Sequence, residues 1–201
     1  MGINTNKEKW ILQMYHSLCE YNTIPDSEWI YLQKKIHVET IRKDNYFIKA
    51  GDRPDKIAFL VAGLFRIFYL NESGKENTLV FRDENKFLAA YSSFLENSNS
   101  KFYFQALEDS VLLYISIKDY LELSAQHSCW QNITTKYSQY LFVEKEKREL
   151  EFLCDDAEKR YRNFASSYPK LISRVPQFHI ASYIGITPEA LSRIRKKLKL
   201  T

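Results

Sequence analysis

The sequence is poor in cysteine, glycine and proline, and it contains no long apolar run. Its 201 residues include three cysteines, five glycines and five prolines. Cys19, Cys129 and Cys154 are odd in number and far apart, which predicts neither a disulfide framework nor a zinc site with Cys-x-x-Cys spacing. The longest apolar run is the nine residues from Ile57 to Phe65. A membrane-spanning helix needs about 20 apolar residues, so the sequence predicts no span.

The sequence also lacks the signatures of secretion, catalysis and metal binding. Residues 1–9 have no apolar core of a signal peptide, which predicts a cytoplasmic protein. No P-loop, HExxH, GxSxG or dinucleotide fingerprint is present, so we expect no enzyme activity. The four histidines have no ligand spacing, and three scattered cysteines cannot supply the four thiolates of an iron–sulfur cluster. We therefore expect no metal and no bound cofactor.

Charge is distributed unevenly along the chain. The sequence has 29 basic and 25 acidic residues, a formal net charge of +4. From residue 171 onward there are six basic residues and a single acidic residue, Glu189. This excess predicts that the C-terminal end meets a polyanion, although a solvated basic surface would give the same pattern. The basic residues are Arg174, Arg193, Arg195, Lys196, Lys197 and Lys199.

The hydrophobic pattern changes from helical to strand-like and back along the chain. In residues 1–36, apolar residues recur at three- and four-residue spacing, which predicts helices. From about residue 37 to 117, short runs of β-branched and aromatic residues alternate with turn signals such as Ala50–Asp52 and Asn71–Gly74. Many short strands with regular turns predict an antiparallel sandwich or barrel.

A longer helix is predicted from about Trp130 to Leu153. Its first half carries an apolar stripe, and its second half is highly charged, with opposite charges four apart such as Glu144 and Arg148. This combination is typical of a dimer seam or of a connector between domains, while a helix packed on its own domain is the alternative. The predicted seam residues are Trp130, Ile133, Tyr137, Tyr140 and Leu141.

The C-terminal sequence predicts a helix-turn-helix. Its first helix, residues 177–184, stops at Gly185, the residue best suited to a left-handed helix end. Thr187 is the expected N-cap of the second helix, which runs over residues 188–198 and has proline at its first position. The small side chain of Ala181 lets the two helices cross closely.

The outward face of the second helix is polar and basic. An α-helix fits the DNA major groove, where Arg pairs with guanine and Glu accepts a hydrogen bond from cytosine N4. We therefore predict DNA binding, with a purely structural helical hairpin as the alternative. The predicted base-reading residues are Thr187, Pro188, Glu189, Ser192, Arg193 and Lys196, and the predicted phosphate contacts are Arg195, Lys197 and Lys199.

Together, the strand-rich segment, the long helix and the helix-turn-helix resemble the Crp/Fnr family of bacterial transcription regulators. The best-matching stretches are residues 50–52, 61–66, 105–116 and 180–193. The resemblance implies an α+β fold, in which an N-terminal antiparallel β-roll (a double-stranded β-helix, jelly-roll-like) is flanked by helices. A long dimerisation helix and a C-terminal helix-turn-helix domain follow. The implied domains are residues 1–127 for the sensor roll, 128–154 for the connector helix and 155–201 for DNA binding.

The resemblance also implies partners. Its members are homodimers that bind palindromic operators in double-stranded DNA, with RNA polymerase and an unknown small-molecule effector as further candidate partners. Members often read DNA with Arg-Glu-x-x-x-Arg at the start of the recognition helix. Glu189 and Arg193 match this set, but Pro188 replaces the first arginine, so that guanine contact is not implied here. The alternatives are a small-molecule-sensing module and a protein-docking module, each with weak or lost DNA binding.

The stretch that binds cyclic nucleotides in the family departs from the family pattern. Members carry Gly-Glu for the ribose and Arg-Ser for the phosphate, whereas Ala89-Ala90 and Ser100-Lys101 stand here. Alanine accepts no hydrogen bond from a 2′-hydroxyl, and lysine lacks the bidentate fork of arginine. We therefore expect no control by cyclic AMP. The candidate residues of a different ligand pocket are Ala89, Ala90, Tyr91, Ser92, Ser93, Ser100 and Lys101.

Overall fold

The computed structural model describes residues 2–198 and divides the chain into two compact units. The first unit comprises Met1–Ile67 and Phe81–Tyr140, and the second comprises Phe68–Val80 and Leu141–Thr201. Each unit is therefore built from segments that are distant in the sequence. The three-domain division at residues 127 and 154 stays a prediction.

Within residues 2–198 the chain forms eight helices and eight strands. The helices are α1 (Gly2–Cys19), α2 (Asp26–Gln33), α3 (Tyr91–Leu95), α4 (Ile117–Gln126), α5 (Ser128–Cys154), α6 (Ala157–Ser167), α7 (Gln177–Ile184) and α8 (Pro188–Lys197). The strands are β1 (His37–Ile41), β2 (Tyr46–Ile48), β3 (Lys56–Ala62), β4 (Phe65–Leu70), β5 (Glu76–Arg82), β6 (Phe87–Leu88), β7 (Tyr103–Ala106) and β8 (Ser110–Ser116).

The strands form two four-stranded sheets, in the orders β1-β8-β3-β6 and β2-β7-β4-β5. Strand β8 is central to the first sheet and pairs antiparallel with β1 on one side and β3 on the other. The tight turn from β3 to β4 is at Gly63, whose φ is +108°. An added Cβ there would lie 2.8 Å from Cα of Ser110. Only glycine fits, because the obstructing atom belongs to the backbone of β8.

The core of the first unit lies between α1, α2, the start of α5 and the first sheet. Leu32, Phe59 and Leu113 are fully buried members of this cluster. The cluster also encloses one acidic side chain, Glu28, whose Oε2 accepts a hydrogen bond of 2.8 Å from Nε1 of Trp130. A buried carboxylate is tolerated when it is hydrogen-bonded in this way, and the bond fixes α5 to α2.

Most of the predicted dimer seam packs inside the first unit. Trp130 and Ile133 are each only 6% exposed and belong to its core, and a dimer seam through them stays a prediction. Tyr137 packs edge-on against Phe87, and its hydroxyl accepts a hydrogen bond of 3.2 Å from the Phe87 N–H. Tyr140 and Leu141 are half-buried. Helical periodicity identifies a buried face but not what buries it, and here the chain's own roll does so.

The later part of α5, within the second unit, exposes large apolar side chains instead. Phe142 is 67% exposed, Leu150 is 60% exposed and Leu153 is 77% exposed. Residues three, four and seven or eight apart share one helix face, so these three side chains form a stripe.

Candidate nucleic-acid interface

The turn between α7 and α8 is built around Gly185. Its φ is +76°, in the left-handed region. The N–H of Ile186 donates to the carbonyl of Ala181 at 3.0 Å and the N–H of Gly185 donates to that of Ser182 at 3.3 Å, which together make a Schellman helix end. An added Cβ at Gly185 would lie 2.7 Å from Cε1 of Phe152. The turn therefore requires glycine both for its backbone and for a close approach.

Helix α8 starts where the sequence predicts it. Thr187 is its N-cap, and its Oγ1 accepts a hydrogen bond of 3.2 Å from the N–H of Ala190. Pro188 at the first helical position leaves no N–H unsatisfied. The pKa of Glu189 is lowered, first by a hydrogen bond from its own backbone N–H and then by one from the Thr187 hydroxyl. The charge of Arg193 lowers it further. Glu189 is thus an ionised acceptor at neutral pH.

The two helices bury one side and expose the other. Ile180 and Ala181 are completely buried and Leu191 is nearly so, as the predicted close crossing of the helices requires. The predicted base-reading residues, at the start of α8 and along it, are all exposed. These are Thr187, Pro188, Glu189, Ser192, Arg193 and Lys196.

Two of the three predicted phosphate contacts lie within the described residues, and they differ in exposure. Arg195 is half-buried, and Lys197 is exposed. Nζ of Lys197 donates to Oε2 of Glu158 at 2.7 Å, and this ion pair is the main cause that lowers the pKa of Glu158. Exposed ion pairs are weak because water and salt screen them, so a phosphate competes readily for Lys197. Lys199 lies outside the described residues.

Two arginines outside the predicted interface hold the end of α7. The Arg148 guanidinium donates a 2.8 Å hydrogen bond to the carbonyl of Tyr183, and Nε of Arg160 donates a 2.9 Å bond to that of Ile184. Arg148 donates to the carbonyls of Tyr183 and Thr78, whereas four-residue spacing predicts Glu144 as its partner. Sequence reasoning missed both contacts. Local spacing contains no signal for them, because their acceptors are backbone carbonyls distant in the sequence.

The candidate ligand stretch of the roll surrounds the short helix α3. Ala89 is half-buried and Ala90 is buried, and the helix begins immediately after them. The N–H of Ser98 donates to the carbonyl of Ser93 at 2.8 Å. The structure therefore brings residues 96–100 against α3, as a shared site would require.

Ala90 and Ser100 stand at the positions where the sequence analysis places the ribose and phosphate contacts of a cyclic nucleotide. Ser100 is buried, and its hydroxyl donates to the carbonyl of Phe102 at 2.9 Å and accepts from the N–H of Phe102 at 3.1 Å. Its hydrogen-bonding capacity is thus used within its own loop. Lys101 is exposed, and Ala90 supplies no carboxylate.

The remaining candidate pocket residues differ in exposure. Ser92 is exposed, whereas Ser93 is buried. Burial, followed by a hydrogen bond with Tyr120, raises the pKa of Tyr91 to about 12. Tyr91 is thus a neutral hydroxyl at physiological pH and offers no charge to a ligand.

Residues 2–198 contain neither a metal-ligand cluster nor a membrane-spanning helix. In that part of the chain no group of three or more His, Cys, Asp or Glu side chains is placed to hold a metal ion. None of its helices is long and apolar enough to cross a membrane. Cys19, Cys129 and Cys154 are free thiols.

Comparisons with known proteins agree on the architecture. Residues 38–127 match the cyclic nucleotide-binding domain family. The c-di-GMP-responsive global regulator CLP of Xanthomonas campestris has a similar structure, with a TM-score of 0.71 and 15% identity over 87% of this chain and 92% of that one. The chain has a Crp/Fnr-like fold. FixK2 of Bradyrhizobium japonicum gives a TM-score of 0.70 and 17% identity, over 82% of this chain and 84% of that one.

A Crp/Fnr family transcriptional regulator from Eubacterium rectale gives a TM-score of 0.71 and 15% identity, over 88% of this chain and 84% of that one. A search of curated proteins gives no significant match. The resemblance to Crp/Fnr regulators and the α+β fold class are confirmed, with an N-terminal β-roll and a C-terminal helical region. In this Crp/Fnr-like chain the matched domain ends at residue 127, immediately before α5 begins at Ser128.

Proposed function

We propose that the chain is a homodimeric, sequence-specific DNA-binding transcription regulator that cyclic AMP does not control. The observation that carries the proposal is the exposed side of α8. All of its predicted base-reading side chains point to solvent, while Leu191 anchors the opposite side in the core. The Crp/Fnr-like fold supports a binding role rather than a catalytic one.

Glu189 and Arg193 carry the proposed sequence preference. They are four residues apart on α8, so they lie one helical turn apart on the same exposed face. A guanidinium donates two hydrogen bonds to guanine O6 and N7, and an ionised carboxylate accepts one from cytosine N4. Arg195, Lys197 and Lys199 are the proposed phosphate contacts, which fix the register of the helix without reading sequence.

A second copy of the chain is the proposed partner along α5. The proposed contact surface is the exposed apolar stripe of Phe142, Leu150 and Leu153, later in α5 than the seam that the sequence predicts. An exposed stripe of this kind on a long helix favours pairing with an identical helix, as in coiled coils. Two helix-turn-helix modules related by a two-fold axis then match a palindromic operator.

The proposed effector is a small molecule other than cyclic AMP. Ser100 is bonded within its own loop and Ala90 offers no acceptor, so the roll lacks the two contacts that hold a cyclic nucleotide. The structurally similar regulator from X. campestris is described as responsive to c-di-GMP, which supports an effector of another kind. RNA polymerase is proposed as the partner through which transcription changes.

The test starts from selection of a binding site among random DNA duplexes. We expect one enriched palindromic sequence, bound more tightly than scrambled DNA at every salt concentration. Arg193→Ala removes a base contact and should reduce discrimination by about 1–3 kcal/mol. The matched control is Arg42→Ala, which removes the same charge from an exposed position in the first unit.

Two outcomes contradict the proposal. If Arg193→Ala weakens binding to selected and scrambled DNA equally, Arg193 contacts phosphate only and the placement of α8 in the groove is wrong. If no sequence is enriched, the chain is a sensing or docking module with lost DNA binding.

A further inference from the structure

The tip of the β4–β5 hairpin, residues 68–80, belongs to the second unit together with α7. Ser182 of α7 joins the two. Its Oγ accepts a hydrogen bond of 2.9 Å from the N–H of Thr78 and donates one of 3.2 Å to the carbonyl of Glu76. A hydroxyl has one proton to donate and lone pairs to accept, so both bonds form at once. One side chain of α7 is therefore hydrogen-bonded to two backbone groups of β5.

Arg148 of α5 links the same two segments a second time. Its Nη2 donates to the carbonyl of Thr78 at 3.1 Å and to that of Tyr183 at 2.8 Å. Its guanidinium lies 4.3 Å from the centre of the Tyr183 ring, a cation–π geometry. Burial lowers the pKa of Arg148, yet arginine remains protonated in proteins. Two carbonyl dipoles and a ring face therefore stabilise this charge.

A neighbouring arginine holds the next carbonyl of the same helix. Arg160 donates to Ile184, the last residue of α7. The guanidinium groups of Arg148 and Arg160 both lie 5.0 Å from the centre of the Phe152 ring, which packs against Gly185. The two carbonyls that precede the turn are thus each fixed by a cation, which also suits the negative end of a helix dipole.

An arginine that only caps a helix would need none of the contacts to the hairpin. Arg148 differs because one nitrogen binds the helix and the hairpin together, and because Ser182 repeats the connection through another atom. Thr78 takes part in both connections, through its carbonyl and its N–H. A shift of β5 at Thr78 therefore breaks both bonds together and frees α7 from the hairpin.

We infer that Arg148 is a positioning residue for the DNA-reading helix, and that the hairpin of residues 68–80 sets its position through Thr78 and Ser182. Only residues 185–187 separate α7 from α8, so the orientation of α7 fixes where α8 is presented. This inference rests on the proposed DNA-binding function. Movement of the hairpin then changes DNA affinity without altering any side chain that touches DNA.

The first experiment measures hydrogen exchange of the Thr78 amide in the full-length chain without DNA. Ser182→Ala removes the acceptor and Arg148→Gln removes the second connection, so each should speed exchange about tenfold. Ser182→Thr keeps the hydroxyl and should restore protection. The controls are Ser166→Ala, an exposed serine of α6, and Lys147→Gln, an exposed cation beside Arg148. Both should leave exchange unchanged.

The second experiment measures affinity for the selected DNA. Ser182→Ala and Arg148→Gln should weaken binding about 5- to 30-fold, a typical range for coupling between sites. The salt dependence should stay as in the wild type, since no phosphate contact is lost. Ser182→Thr should again behave as the wild type. If Arg148→Gln fails to fold, Ser182→Ala and Ser182→Thr alone decide whether the hairpin contact affects DNA affinity. The first of these variants removes only one hydroxyl group.

Wild-type protection of Thr78 in Ser182→Ala would overturn the inference, because the hairpin is then not held by α7. Faster exchange with unchanged DNA affinity would also overturn it, since the contacts would then only pack the unit. If the wild-type chain selects no DNA at all, the proposed function fails. The exchange data still decide whether the hairpin is held.

Discussion

The two units of the chain differ in what they do with their polar side chains. In the first unit two buried polar groups are bonded within the unit, the Ser100 hydroxyl to its own loop and the Trp130 indole to Glu28. In the second unit Glu189 and Arg193 are exposed on one helix face. Ser100, Glu189 and Arg193 all occupy positions that the Crp/Fnr resemblance singles out. A motif position therefore indicates function only where its side chain still faces solvent.

Helix α5 repeats this contrast with apolar residues. In the part of α5 that belongs to the first unit, Trp130 and Ile133 are buried in the core. In the part that belongs to the second unit, Phe142 and Leu150 are exposed. Large exposed apolar side chains in a stripe favour burial against a partner. We therefore expect macromolecular partners to bind the second unit.

The largest effect is expected from Leu150→Asp. If the second unit is where copies meet, a charge at the centre of the stripe should convert a dimer into a monomer, because a buried unpaired carboxylate is costly. Sedimentation velocity at micromolar concentration measures this. Leu12→Asp, at an exposed leucine of α1 in the first unit, is the matched control and should remain dimeric. A monomeric wild type, or a dimeric Leu150→Asp variant, would contradict the expectation that copies of the chain meet through the second unit.

A smaller effect is expected from Gly185→Ala. A left-handed residue other than glycine costs about 1–2 kcal/mol, and overpacking against Phe152 should add about 1–3 kcal/mol. Gly74 is the matched control, since its φ of +78° is nearly the same and an added Cβ meets nothing within 4 Å. Urea unfolding of both alanine variants separates the two costs. Equal destabilisation of the two variants would mean that the Phe152 ring moves aside at no cost in free energy.

Lys197→Ala should have a modest and sequence-independent effect. Loss of one phosphate contact reduces the slope of log affinity against log salt by about one unit and weakens all duplexes alike. Lys196→Ala, at the neighbouring exposed position, should instead change sequence preference. Affinity for selected and scrambled DNA at several salt concentrations measures both. An unchanged slope for Lys197→Ala would mean that its ammonium stays on Glu158 when DNA binds.

The smallest effect is expected in the first unit, where cyclic AMP should produce no binding heat. Ala90 and Ser100 supply neither a carboxylate nor a charge, so calorimetric titration at micromolar concentration should give a flat trace. A micromolar dissociation constant, about −8 kcal/mol, would show that the roll binds the nucleotide in another pose.

Helices α7 and α8 follow from the sequence because their signals are local. Gly185 ends one helix and Thr187 with Pro188 begins the next, so the predicted start and end of α7 and the start of α8 agree with the structure. Short strands and their turns are likewise encoded by neighbouring residues. These signals need no knowledge of distant parts of the chain.

The features that the sequence does not predict depend on contacts between residues far apart in the chain. The apolar stripe at Trp130 and Ile133 predicts a buried face, but only the fold decides that the roll covers it. Arg148 has a carboxylate four residues away at Glu144, yet it binds carbonyls of other segments. A motif comparison likewise does not predict the hydrogen bonds of Ser100 to its own loop, since they depend on the path of that loop.

The contacts of the hairpin also constrain how the chain folds. Thr78 is 104 residues before Ser182 and 70 before Arg148, so its partners are made long after it leaves the ribosome. Contacts of such long sequence separation are slow to form. Until α7 is complete, the N–H and carbonyl of Thr78 are without these partners. A chain truncated before residue 182 therefore leaves that edge of the hairpin open to pairing with other strands, and we expect such fragments to aggregate more than the full-length protein.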